Sequence, residues 1–173
     1  MRYETFSYRF AEELLNNPQY SIAKTEIKYI VEHAPLIKRE VPKRRKSGKE
    51  FITDQNALNK YFKKEFLARG WEVNPLITDN GVTNIKADFK KNTIQIEVQF
   101  GNMARWYADV FKFQVSYSLN LIDVGVLIVP TNKFAKTIGE NVVNYERVIR
   151  ELPYAKMSIT LPIWVLGIEP EEL

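Results

Sequence analysis

Asp88, Glu97 and Gln99 are the side chains of this chain best suited to chemistry. They sit in two short runs of alternating residues, Ile85-Lys86-Ala87-Asp88-Phe89-Lys90 and Ile94-Gln95-Ile96-Glu97-Val98-Gln99-Phe100. Residues two apart on a strand share a face, so Glu97 and Gln99 project together. A turn at Lys91-Asn92 would fold the first run back on the second and bring Asp88 beside Glu97. Two carboxylates converging this way suit a hard divalent cation, because Mg²⁺, Mn²⁺ and Ca²⁺ prefer oxygen ligands. A cation so held activates water and neutralises charge on a phosphodiester. The backbone carbonyl of Val98 points into the same region as a further ligand. Gln99 cannot act as a base, but its amide can orient water. The spacing alone is more often that of a solvated strand face.

Composition narrows the choice of metal. The chain has no Cys and one His, His33, so thiolate sites, multi-histidine zinc sites and Cys-His nucleophile pairs are excluded. Oxygen ligands are what remains. The net charge of +4 is compatible with a nucleic-acid partner without requiring one. Its distribution says more: in KREVPKRRKSGK, residues 38–49, seven of twelve positions are Lys or Arg. Pro42 and Gly48 make this an expected extended arm or loop. Lys43, Arg44, Arg45 and Lys46 are its candidate phosphate contacts; a solvated loop is the other reading.

The elements that must position these groups follow from periodicity. At 173 residues the expectation is one domain, residues 1–173. Residues 5–16 read as an amphipathic helix ending at Asn17-Pro18, and Ser21 to His33 as a second. Thr53 or Asp54 caps a third, with Ala57, Leu58, Tyr61, Phe62 and Phe66 at helical spacing and Gly70 closing it. Trp71 to Ile77 is a strand interrupted by Pro75, hence at an edge. Asp79-Asn80-Gly81 is a turn, and the Asp88 and Glu97 runs form a hairpin with one buried and one polar face. Asn102 caps a helix to about Leu119. Its Trp106, Tyr107, Phe111 and Phe113 read as core packing or as an interface. Asp123 to Val129 is a central strand, residues 141–152 a helix, and Ile163 to Ile168 a last strand. The expected fold class is α+β, a central mixed sheet flanked by helices with an αβββαβ core. The N-terminus lacks the pattern of a signal peptide, and no apolar run nears the ~18 residues of a membrane span. A cytoplasmic protein is expected.

The run IQIEVQFGN, preceded by Asp88 in IKADF, resembles the active-site hairpin of the BglII-type restriction endonucleases. These are a branch of the PD-(D/E)xK nuclease superfamily in which Gln replaces the usual Lys. The resemblance extends through LNKYFKKEFLARGW upstream and NMARWYADVFKFQ and DVGVLIVPT downstream, roughly residues 58–168. It implies the restriction-endonuclease-like fold and a type II restriction endonuclease, with Mg²⁺ as cofactor and Mn²⁺ as a substitute. Double-stranded DNA with a short palindromic site would be the substrate, a homodimer the working form, and a cognate methyltransferase the companion in a bacterial or archaeal cell. A structure-specific repair nuclease and a DNA-binding module without catalysis are the alternatives. By the same resemblance Asp88 and the Val98 carbonyl bind metal, Glu97 lies in or next to that shell, and Gln99 positions the attacking water. Asn59 lies near the site unless it is a plain helix-surface amide, and Asn102 contacts bases besides capping its helix. Gly101 stands where the family pattern has Ser, which puts a base contact there in doubt. For the missing Lys, Lys90 on the Asp88 strand and Lys112 on the following helix are the candidates; each is otherwise a surface amine.

Overall fold

The computed structural model describes residues 1–43, 48–78 and 84–171. Among them, six strands form one mixed sheet in the order β1-β8-β7-β6-β5-β4. The parallel centre is β6 (Ile94–Val98), β7 (Val124–Pro130) and β8 (Ile163–Glu169). Antiparallel strands flank it: β1 (Arg2–Tyr8) on β8, and β5 (Phe89–Lys91) then β4 (Glu72–Val73) beyond β6. Every residue of β7 and β8 is buried. That is why VGVLIVP is apolar without alternation: helices cover both faces of these strands.

The apolar residues divide between the two faces with the period of two that strands impose. Ile94, Ile96, Val126, Ile128, Trp164 and Leu166 pack under α1 (Ala11–Leu15), α2 (Ser21–Glu32), α3 (Gln55–Ala68) and α5 (Asn132–Ile138). Leu127, Val129, Ile163 and Val165 pack under α4 (Arg105–Ser118) and α6 (Tyr145–Glu151). Asp54 caps α3 by accepting from the Ala57 N–H at 3.1 Å. Gly70, at φ 76°, supplies the left-handed residue just past its end. Among the described residues no helix is long and apolar enough to cross a membrane.

Several elements differ from their sequence-based expectation. Residues 5–16 are not one helix: β1 occupies Arg2–Tyr8, and only Ala11–Leu15 is helical. Pairing along the whole of β8, from Arg2↔Glu169 to Tyr8↔Ile163, outweighs local helical spacing. Arg9 and Phe10, at φ 52° and 60°, make the corner. The described part of the basic segment lies in a hairpin of two extended strands, β2 (Lys38–Pro42) on β3 (Lys49–Thr53). Lys43 is exposed at its end, while Arg44, Arg45 and Lys46 lie outside the described residues, as does the turn at Asp79-Asn80-Gly81. The strand around Pro75 shrinks to Glu72–Val73 at the sheet edge, and the Asp88 strand to Phe89–Lys91. A helix at 132–138, capped by Thr131 through the Phe134 N–H at 3.3 Å, was not anticipated; the next helix starts at Tyr145, capped by Asn144.

Candidate active site

The site lies at the C-terminal end of β6. Ile94 and Ile96 enter the core beneath α2 and α3, so Gln95 and Glu97 project to the opposite face. That face was expected to be polar and open, yet Gln95 and Glu97 are each 0% exposed. Helix α4 covers them with polar groups of its own. The antiparallel register Phe89↔Ile96 and Lys90↔Gln95, carried one step further, sets Asp88 opposite Glu97. The Val98 N–H donates to Asp88 Oδ2 at 2.8 Å, which ties Asp88 to the strand carrying Glu97.

Both Glu97 oxygens are engaged. The Gln95 amide donates to Oε1 at 2.9 Å, and the Ser116 hydroxyl fixes that amide by donating to its oxygen at 2.5 Å. Lys112 Nζ donates to Glu97 Oε2 and lies 3.0 Å from Asp109 Oδ1. Asp109 Oδ2 accepts from Gln99 Nε2 at 2.7 Å, and Gln99 Oε1 accepts from the Gly101 N–H at 2.9 Å. One hydrogen-bonded chain thus runs from Ser116 through Gln95, Glu97, Lys112 and Asp109 to Gln99. It opens on a cleft of about 490 Å³ whose lining includes Asp88, Val98, Gln99, Asp109 and Lys112, with Gln55, Asn59 and Lys63 from α3, Asn74 from the turn after β4, and Arg105 from α4.

Burial drives the electrostatics. Desolvation, with Asp88 adding repulsion, pushes the Glu97 carboxyl up to about 8 against the pull of Lys112. Asp88 is raised as well, by burial first, partly offset by the Val98 N–H and Lys112. For Lys112 burial acts to lower the value, but Glu97 and Asp109 outweigh it and raise it, so the amine stays charged. Among the described residues Glu97 and Asp109 bond to Lys112, and Lys63 and Arg105 also line the cleft, so carboxylate oxygens for a cation and positive charge for a phosphate stand side by side.

The donor set fits such an ion. Among the described residues no group of three His, Cys, Asp or Glu side chains is clustered for metal binding. The ligands that line the cleft are Asp88 and a backbone carbonyl, with Glu97 buried behind them and able to join through Oε2 on releasing Lys112. The Gln99 N–H donates to Ile128 O on β7 at 2.9 Å. All described peptide bonds are trans, so the Val98 carbonyl of the same peptide points the other way, toward Asp88. These are hard oxygen donors of the kind Mg²⁺ takes.

The other candidates divide. Asn59 is exposed on α3 and lines the cleft. Asn102 is exposed outside it, precedes rather than caps α4, and accepts from the Ala104 N–H at 2.9 Å. Lys90 is not among the cleft residues, whereas Lys112 is. Trp106 and Phe113 are buried and Tyr107 and Phe111 exposed, so the aromatic stripe serves packing on one side and faces outward on the other. Asp109, Ser116 and Asn74 were not anticipated. For the first two a signal existed: at helical spacing Asp109, Lys112 and Ser116 run beside Trp106, Val110 and Phe113, polar groups along a stripe that must face the core.

The crystal structure of restriction endonuclease BglII complexed with a DNA 16-mer matches this fold with a TM-score of 0.86 at 24% identity, covering 100% of this chain and 79% of that one. Free BglII matches with a TM-score of 0.72 at 22% identity, covering 100% and 82%. No curated protein matches the chain in sequence. The family profile of restriction endonuclease BglII/BglIII aligns with residues 3–168, nearly the whole chain, and the protein belongs to that family.

Proposed function

We propose that the protein is a type II restriction endonuclease that hydrolyses both strands of double-stranded DNA at a short palindromic site, using Mg²⁺, for which Mn²⁺ substitutes. The observation that carries this reading is Asp88 held beside Glu97, with Gln99 and Lys112 facing the same cleft. Asp88, the Val98 carbonyl and Glu97 Oε2 would hold the cation. When bound, it supplies an acidified water and charge neutralisation at the phosphate. Gln99 positions the attacking water by hydrogen bonding. Water oxygen bonds to phosphorus as one bridging P–O bond breaks. Lys112 places a fixed positive charge where the phosphate gains negative charge, as the lysine of the wider superfamily motif would. Lys90 is set aside as an auxiliary because Lys112 already pairs with Glu97.

Lys43, Arg44, Arg45 and Lys46 contact the DNA backbone and supply affinity, while Asn102 reads bases and Asn59 supports the cleft. The chain acts as one catalytic domain in a homodimer whose two-fold axis matches that of the site, with exposed Tyr107 and Phe111 available to the contact. It works in the cytoplasm of a bacterium or archaeon alongside a methyltransferase that protects host DNA. The test is digestion of unmethylated plasmid with Mg²⁺. Discrete fragments are expected. A smear would indicate a structure-specific nuclease, and binding without cutting a DNA-binding module. Asp88→Ala should abolish cutting and retain DNA binding in Ca²⁺; continued cutting by that variant would overturn the site.

A further inference from the structure

Asp109 plays no part in the reaction scheme above, yet it is buried to 5% exposure and is bonded to two groups that do. Its oxygens are shared out, Oδ1 to Lys112 at 3.0 Å and Oδ2 to Gln99 Nε2 at 2.7 Å. The chemistry of these partners fixes orientation. A backbone N–H can only donate and a carboxylate can only accept. The Gly101 N–H therefore demands the oxygen of the Gln99 amide, and Asp109 demands its nitrogen. Without Asp109 the nitrogen end loses its acceptor, and the Gly101 N–H alone is left to orient the amide. Lys112 would likewise keep Glu97 as its only carboxylate partner. A buried carboxylate is costly to keep, and an apolar residue would fill this stripe of α4 more cheaply. Ser116, one and a half to two turns on in the same helix, shows the same logic: it bonds to Gln95, which in turn holds Glu97.

We propose that Asp109 is a positioning residue for phosphodiester cleavage, setting the Gln99 amide and the Lys112 ammonium in place without touching the substrate. This rests on the nuclease reading above. The consequence is a defect in rate and not in DNA affinity, transmitted through Gln99 and Lys112.

Asp109→Asn keeps an acceptor for only one of its two partners, and Asp109→Leu for neither. Each is compared with the wild-type chain in single-turnover plasmid cleavage with Mg²⁺ and in DNA binding with Ca²⁺. The rate is expected to fall about 10- to 100-fold, the usual effect of removing a group that orients an active-site ligand. DNA affinity is expected to stay within about twofold, and the rate loss to shrink below about threefold when the same changes are made in a Gln99→Ala, Lys112→Met background. If one variant does not fold, the other is read by the same criteria. Wild-type cleavage matched by both variants would overturn the inference alone, as would a rate loss of full size in the double-variant background or one matched by lost affinity. A wild-type chain that cuts no plasmid would overturn the nuclease reading, and the inference with it.

Discussion

Replacing Glu97 by Gln should stabilise the protein, and increasingly so as the pH rises. The folded carboxyl titrates near 8, against an ordinary value of 4.5, because it is buried and faces Asp88. A carboxyl raised on folding contributes stability that is fully present below pH 4.5 and is lost as the pH rises through 8. Across that window the wild type must ionise a buried group, at up to about 1.4 kcal/mol for each pH unit. Asp88 and Lys112 already help set where Glu97 titrates, so the shift corresponds to at most about 5 kcal/mol, and relaxation of the buried site brings the expected cost to about 2–3 kcal/mol by pH 9. The amide introduced by Glu97→Gln, beside Gln95 and Lys112, is neutral throughout. At about 2–4 °C per kcal/mol for a chain of this length, Glu97→Gln should melt roughly 5–10 °C above the wild type at pH 9 and close to it at pH 5. The assay is thermal unfolding followed by circular dichroism in EDTA, from pH 5 to 9. Added Ca²⁺ should narrow the gap at pH 9, since only the wild type gains a full set of ligands. A gap that does not change with pH, or a wild type that is the more stable at pH 9, would show that Lys112 alone satisfies Glu97 and that burial does not hold its proton.

Lys112→Met removes the ammonium that, among the described residues, is bonded to Glu97 and Asp109; single-turnover cleavage should fall about 10²- to 10³-fold with DNA affinity in Ca²⁺ nearly unchanged. Gly101→Ala would bring a Cβ to 2.8 Å from Gln99 Oε1, so it should slow cleavage while leaving the melting temperature and DNA affinity close to wild type, as kinetics beside a melt would show. Neutralising Lys43, Arg44, Arg45 and Lys46 together should weaken DNA binding and flatten the slope of log affinity against log salt by about 3 to 4, measured by fluorescence anisotropy. An unchanged slope would remove these residues from the DNA contact.

How far the sequence discloses this arrangement depends on the range of the interactions involved. The runs around Asp88 and Glu97 are legible because a hairpin is local: turn, alternation and register lie within a dozen residues. Strands β7 and β8 are legible from unbroken apolarity, and α3 from its spacing and its cap. Strand β1 is not, because its partner β8 lies at the other end of the chain and only that pairing selects strand over helix. The polar face of β6 was misjudged for a related reason. Alternation shows that Gln95 and Glu97 point away from the core beneath α2 and α3, but not whether water or a helix lies on their side. Asp109 therefore entered the site only through tertiary packing, whereas Lys112 was already a candidate on the following helix, and polar residues within the buried stripe of α4 had marked that helix as unusual.

The balance of charge in the cleft separates a cation site from a structural ion-pair network. A network kept for stability tends toward neutrality, because buried charge is tolerated when it is paired and penalised when it is not. Here, among the described residues, one ammonium, Lys112, serves both Glu97 and Asp109, with Lys63 and Arg105 also on the cleft wall, and burial raises Glu97 and Asp88. The apolar faces of β7 and β8 on either side provide the stability to carry that burial. Two substitutions that both disable cleavage should then move stability in opposite directions. Glu97→Gln removes a buried negative charge and raises the melting temperature above neutral pH. Lys112→Met removes the ammonium bonded to Glu97 and Asp109 and lowers it. A neutral, self-sufficient network would lose stability from both.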